Sequence, residues 1–269
     1  MKTRIISGII MGVIVAGVLA VGFLWEPIVI TIAIALLAAG AVYELLHNAA
    51  GIKCNFSLVI ACLFGFYVPF TRFIHEDFGV SLIFVLFGAI IYGTIAAVMI
   101  LKNHAEFGLG QITALYGLPL IYGGMFFCLS GVINAQSGIY YLLLLLNFSS
   151  VCDMGAYFTG VTCGKHKLCP NISPKKTVEG AIGGVLSSVV VTVIICLCFK
   201  KALLMPITFT VPLCILGMIG DLFASAIKRS VDLKDYGSLI PGHGGILDRV
   251  DSIIMIAPVF YMLILFGVI

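Results

Sequence analysis

The chain has 269 residues, 61% of them hydrophobic and 10% charged, with a mean hydropathy of +1.20 and a formal net charge of +3. Soluble domains carry about 25% charged residues, so this composition excludes a water-soluble globular protein and implies a polytopic integral membrane protein. The apolar runs are continuous rather than alternating, which excludes a membrane β-barrel and leaves an all-α fold.

Crossing a hydrocarbon core takes roughly 20 helical residues. Nine runs reach or approach that length, at about 5–24, 28–46, 56–71, 79–101, 110–134, 138–160, 178–198, 203–225 and 250–269. The first, "MKTRIISGIIMGVIVAGVLAVGFLW", resembles a signal peptide in its basic leader. Its apolar stretch is too long and no clear small-residue cleavage site precedes Trp25, so a retained helix is expected. With the N-terminus inside, the cytoplasmic basic residues are Lys2, Arg4, Lys53, Lys102, Lys165, Lys167, Lys175, Lys176, Lys228, Arg229, Lys234 and Arg249. Only Arg72, Lys200 and Lys201 fall outside. Cytoplasmic loops carry the excess of Lys and Arg, so a cytoplasmic N-terminus and an external C-terminus are expected.

Residues 1–137 carry almost nothing ionisable at depth. Glu44 and Lys102 lie at helix ends, and Glu76, Asp77 and Glu106 lie in loops. This half reads as scaffold helices and as a surface for lipid or oligomer contact. Glycines in "LFGAIIYGTIA" and "LYGLPLIYGGM" suit close helix approach.

Residues 138–269 differ in kind, with basic cytoplasmic loops expected at 161–177 and 226–249. In the sixth run Ser149, Ser150, Asp153 and Tyr157 follow helical spacings of three and four and so share one face. A carboxylate in an apolar helix costs roughly 2.5 to 3.5 kcal/mol, which marks either a function or a structural pairing with a nearby cation. The loop after this run has four lysines and no acid. In its "SPKKT", Ser173 and Pro174 suit a turn, while Thr177 with Gly180 suits a helix start. Such a loop can serve topology and anionic headgroups, or it can bind phosphate through ammonium groups beside helix-start amides. A Walker A loop is absent, because "GVTCGKH" lacks the glycine spacing and the Ser or Thr after Lys.

The nine cysteines lie mostly in helices or on the cytoplasmic side, so reduced thiols are expected. Cys163, His166 and Cys169 in "CGKHKLC" fit no usual zinc spacing and lack a fourth ligand. They read as packing residues at a helix end.

The eighth run ends in "GMIGDLFASAIKRSVDLKD". If it stays helical, Asp221, Ser225 and Lys228 form one stripe with Arg229 beside it. "GSLIPGHGGILDRVD" then supplies a glycine-rich turn whose amides can face an anion, Asp248 at the mouth of the last helix and Asp251 one turn deeper. Asp221 and Asp248, each bordering a basic loop, suggest a hard cation completed by phosphate oxygens. Magnesium is bound in this manner. The charges look assembled to hold a polyphosphate at the membrane surface.

The stretch Ser225 to Asp251, "SAIKRSVDLKDYGSLIPGHGGILDRVD", resembles the signature of the phosphatidate cytidylyltransferases, also called CDP-diacylglycerol synthases. "DMGAYFTG" and "ISPKKTVEG" are similar to a second region of that family, so the resemblance covers roughly residues 140–269 in detail and the first half in hydropathy alone. It implies transfer of CMP from CTP to phosphatidate at the cytoplasmic face of a bacterial inner membrane, releasing pyrophosphate and serving phospholipid synthesis. Magnesium would be required, a second cation such as potassium could join it, and the assembly would be a homodimer; nucleic acid is not an expected partner. By the same resemblance Asp221 and Asp248 are metal ligands, with Asp251 and Asp153 as further candidates. Lys228, Arg229, Lys234 and Arg249 would clamp phosphates. Lys175 and Lys176 would hold the triphosphate or the lipid phosphate, while Ser225, His243, Gly244 and Gly245 shape the pocket. Phosphatidate is already ionised near neutral pH, so hydrogen bonding or turn structure suits His243 better than base catalysis. His47, His75, His104 and His166 lie at interfaces with no expected chemistry.

Two alternatives remain open at this point. A CTP-dependent lipid-alcohol kinase would use the same nucleotide but transfer its γ-phosphate. A secondary transporter would place its acids near the midplane in two repeats, and no internal repeat is visible here.

Overall fold

The computed structural model describes residues 2–24, 26–75, 77–104, 107–170, 172–238 and 244–269, with side chains described from residue 10 onward except that of residue 11. Two units can be distinguished: residues 1–134 with 235–249, and residues 135–234 with 250–269.

The first unit holds α1 (Lys2–Leu24), α2 (Ile28–Tyr43), α3 (Asn55–Ile74), α4 (Phe78–Lys102) and α5 (Leu109–Ile133). The chain leaves α2 through a π-helical segment, Glu44–Ala49. Small and branched residues of α2, among them Ala35, Ala38, Ala41 and Val42, are fully buried where α2 packs on α3 and α5. Small side chains let backbones close up where lipid offers no hydrophobic drive for helices to associate. Asp77 starts α4 by accepting a hydrogen bond from the Val80 amide at 2.8 Å. Tyr116 of α5 ties to α4 by donating to the Gly93 carbonyl at 2.8 Å. Ile83, Phe87 and Ile90 of α4 point outward.

The second unit holds α6 (Gly138–Leu146), a second π-helical segment (Asn147–Val151), α7 (Cys152–Cys163), strands β1 (Lys167–Cys169) and β2 (Ser173–Thr177), α8 (Val178–Cys198), α9 (Leu204–Ser230) and most of α10 (Leu247–Leu265). Helices α7 and α8 pack so closely that a Cβ on Gly184 would lie 2.5 Å from the Cys152 carbonyl oxygen. A buried polar ladder runs beside them. Asn147 donates to the Ser188 carbonyl at 3.0 Å and to Thr192 Oγ1 at 2.9 Å, and Thr192 meets Thr210 of α9 at 2.9 Å. Bonds of this kind between membrane helices average about 0.6 kcal/mol, so the ladder sets orientation more than stability.

Among the described residues, seven helical segments are long and apolar enough to cross a membrane. They run over Ile28–Ala49, Asn55–Ile74, Phe78–Lys102, Leu109–Ile133, Gly138–Cys163, Val178–Cys198 and Leu204–Ser230. The chain is an all-α integral membrane protein, and these segments coincide with the second to eighth runs read from the sequence. Helix α10 carries Asp248, Arg249 and Asp251 in its first turns.

Three local features differ from expectation. The sixth run is broken by its π-helical segment, which spreads the turn and shifts the phase of the residues after it. Ser149 is buried, whereas Ser150, Asp153 and Tyr157 are exposed, and the two serine hydroxyls lie 3.4 Å apart. Within the 161–177 loop, β1 and β2 form an antiparallel hairpin with Lys167 opposite Thr177 and Cys169 opposite Ser173. Pro174 is tolerated because a two-stranded sheet consists of edges. Helix α9 continues to Ser230, five residues beyond the expected end of its run.

Candidate functional site

In the second unit, Lys176 of β2 forms an ion pair with Asp221 of α9, their side chains 25% and 30% exposed. The Asp153 carboxylate of α7 lies within electrostatic reach of both. Two acids from different helices thus face one cation. The hairpin is held over the start of α8 by Glu179, which accepts hydrogen bonds from the Lys165 and His166 amides and contacts His166 Nδ1 at 2.6 Å. Thr177 Oγ1 caps α8 by accepting from the Gly180 amide at 3.1 Å. Lys176 therefore projects from a braced strand, while Lys175 beside it is exposed.

Helix α9 keeps its period through the signature, so Asp221, Ser225 and Lys228 fall on one stripe. Ser225 is half-buried and Lys228 is 9% exposed. Arg229 is exposed and donates to the Leu233 carbonyl at 3.1 Å, closing the end of the helix. Lys234 is exposed, and Asp251 accepts from the Ser252 amide at 2.7 Å.

In the first unit, Asp248 joins the described ends of the glycine-rich stretch. Its Oδ2 accepts from the Tyr236 amide at 2.8 Å and from the Gly245 amide at 2.9 Å, which fixes the carboxylate at the start of α10. Gly244 has φ +88°, a conformation that favours glycine. Arg249 is exposed. His243 lies outside the described residues.

A residue read as an unremarkable helix end completes this turn. Glu44 is 4% exposed, and its Oε1 accepts from the Ile246 amide at 2.9 Å while Oε2 accepts from the Leu247 amide at 3.0 Å. A Cβ on Gly237 or Gly245 would collide with the Glu44 carboxylate. One turn to either side, Gly40 leaves room for the Ile246 side chain and Asn48 donates to the Tyr236 carbonyl at 2.6 Å. Burying a carboxylate away from water is costly, and hydrogen bonds from two backbone amides offset that. The sequence signal for this face was the glycine, acid and amide at four-residue spacing near the end of an apolar run.

Among the described residues no group of three or more His, Cys, Asp or Glu side chains is placed to hold an ion. Magnesium asks for less, usually one or two carboxylates with substrate phosphates supplying further oxygens. Asp221 and Asp153, which already face an ammonium group, fit that demand.

The profile described as "Cytidylyltransferase family" matches residues 2–266. The chain is 33% identical over 277 residues to a phosphatidate cytidylyltransferase of Bacillus subtilis, an alignment covering 98% of this chain and 97% of that one. It is 36% identical over 159 residues to a phosphatidate cytidylyltransferase of Thermotoga maritima, covering 56% and 59%. It is also 41% identical over 132 residues to a phosphatidate cytidylyltransferase of Staphylococcus saprophyticus, covering 48% and 51%.

Proposed function

Because the chain belongs to the cytidylyltransferase family, we propose that it is a phosphatidate cytidylyltransferase, converting CTP and phosphatidate to CDP-diacylglycerol and pyrophosphate in phospholipid biosynthesis. A phosphate oxygen of phosphatidate attacks the α-phosphorus of CTP. A P–O bond forms there as the bond to the β-phosphate breaks, and pyrophosphate leaves. Phosphatidate is already an anion, so the protein needs no covalent nucleophile. Its task is positioning and neutralisation of charge.

The observation that carries the reading is the cation held between β2 and α9, with Lys176 on Asp221 and Asp153 within reach. In the proposed roles Asp221 and Asp248, with Asp153 and Asp251 as further candidates, hold magnesium, which when bound neutralises charge on the phosphates. Lys175, Lys176, Lys228, Arg229, Lys234 and Arg249 bind phosphate oxygens, and Ser225, His243, Gly244 and Gly245 shape the nucleotide pocket. We further propose nine spans, a cytoplasmic N-terminus, an external C-terminus, a site facing the cytoplasm of a bacterial inner membrane, and a homodimer. The bias of twelve basic residues against three supports the topology.

The test is to supply purified protein with phosphatidate, magnesium and CTP labelled at the α- or the γ-phosphate. Label entering lipid only from the α-position, with pyrophosphate released, is expected. Lipid labelled from the γ-position would make the protein a kinase.

A further inference from the structure

We propose that Glu44 is a positioning residue: it holds the backbone at Ile246 and Leu247 and, through it, aims the Asp248 carboxylate. The inference rests on the cytidylyltransferase reading and adds to it a residue from the half of the chain that otherwise looks like scaffold.

The geometry is a closed circuit of backbone amides. Glu44 takes the amides of Ile246 and Leu247, the two residues that precede Asp248. Asp248 in turn takes the amides of Gly245 and Tyr236. Three successive amides, 245 to 247, are thereby divided between two carboxylates, and Asn48 holds the Tyr236 carbonyl at the far side of the turn. A helix that only needed its first amides satisfied could use a Ser or Asn a residue or two before its start. Here the acceptor comes from 202 positions away and is nine-tenths or more buried, so it fixes where Ile246 and Leu247 sit against the end of α2. Gly237 and Gly245 leave the room that this contact needs. Glu44 also opens a π-helical segment, a local irregularity that is common beside functional sites.

Glu44 does not need to touch substrate, so its loss should appear in the parameters that Asp248 governs. The full-length protein would be purified as wild type, Glu44→Gln, Gly245→Ala and the double variant Glu44→Asp with Gly245→Ala. Each would be assayed for CMP transfer from α-labelled CTP. The magnesium concentration giving half-maximal thermal stabilisation of the CTP-bound protein would be measured separately. Gln keeps the length but presents a donor to one amide N–H, and misplacement of about 1 Å near a reacting centre costs up to about 100-fold. We expect Glu44→Gln to lose about 10- to 100-fold in kcat, with KM for CTP within about threefold and the magnesium midpoint raised at least about fivefold. Gly245→Ala should be similarly impaired. Shortening the acid in the double variant makes room for the added methyl but draws the carboxylate back from the Ile246 and Leu247 amides, so it should stay impaired with a raised magnesium midpoint.

Normal kcat in Glu44→Gln would overturn the proposal, as would a lowered kcat with an unmoved magnesium midpoint, which describes a residue that only holds the fold. If Glu44→Gln does not fold, the double variant decides, and a normal kcat with an unmoved magnesium midpoint there would overturn the proposal. Wild-type protein that transfers no α-label would defeat the cytidylyltransferase reading itself, a result distinct from any failure of Glu44.

Discussion

Lys176 and Asp221 neutralise each other between β2 and α9, neither fully in water nor fully out of it. The ammonium stands beside two acids, Asp221 and Asp153, where a metal ion and a phosphate would compete for the same partners. Removing it should leave the helices intact but deprive the triphosphate of a cation. For Lys176→Ala we expect KM for CTP or phosphatidate to rise about tenfold, equivalent to about 1.4 kcal/mol, with little change in thermal unfolding. Unchanged kinetic constants would return the hairpin lysines to a purely topological role.

Asp221→Asn and Asp248→Asn each delete one negative charge at constant shape. If these acids hold magnesium, turnover should fall by at least about 100-fold in each, and chelation of the wild type should do the same reversibly. Near-normal turnover in either variant, in protein shown to be folded by its melting curve, removes that residue from the ligand set.

Two glycines should fail in different ways. Gly184→Ala pushes a methyl against the Cys152 carbonyl where α7 meets α8, and overpacking of this kind costs roughly 1 to 3 kcal/mol. Its melting temperature should drop while turnover per folded molecule stays near wild type. Gly244→Ala must adopt φ +88° in the turn that presents Asp248, so turnover should suffer more than stability. Equal behaviour of the two in both assays would contradict the assignment of one glycine to packing and the other to the site.

Reporter tags on the two termini test the topology. The N-terminal tag should be protected inside intact cells and the C-terminal tag accessible from outside. Both tags on one side would mean an even number of spans.

How far the sequence could be read depended on whether the relevant contact was local. The stripe Asp221, Ser225, Lys228 was legible because α9 keeps an ordinary helical period through Ser230. Nothing in "LLNFSSV" announces the π-helical segment that carries the buried Ser149. The hairpin was hidden by its shortness, since three and five residues around Pro174 resemble a loop. For Glu44, position within an apolar run says only that a charge is near the end. Its partners lie more than 200 residues further on, and no pattern within the first half points to them.

That separation also imposes an order on biogenesis. The helix bearing Glu44 is made and inserted long before Ile246 and Leu247 exist. At about 5 to 20 residues per second, the 202-residue gap corresponds to on the order of 10 to 40 s of synthesis. During that interval the acid lacks its eventual amide donors, which are still untranslated. The first unit is therefore finished only late in synthesis, and a truncated product ending before residue 245 would carry an acid whose native donors never arrive. Such fragments should be prime targets for membrane quality control.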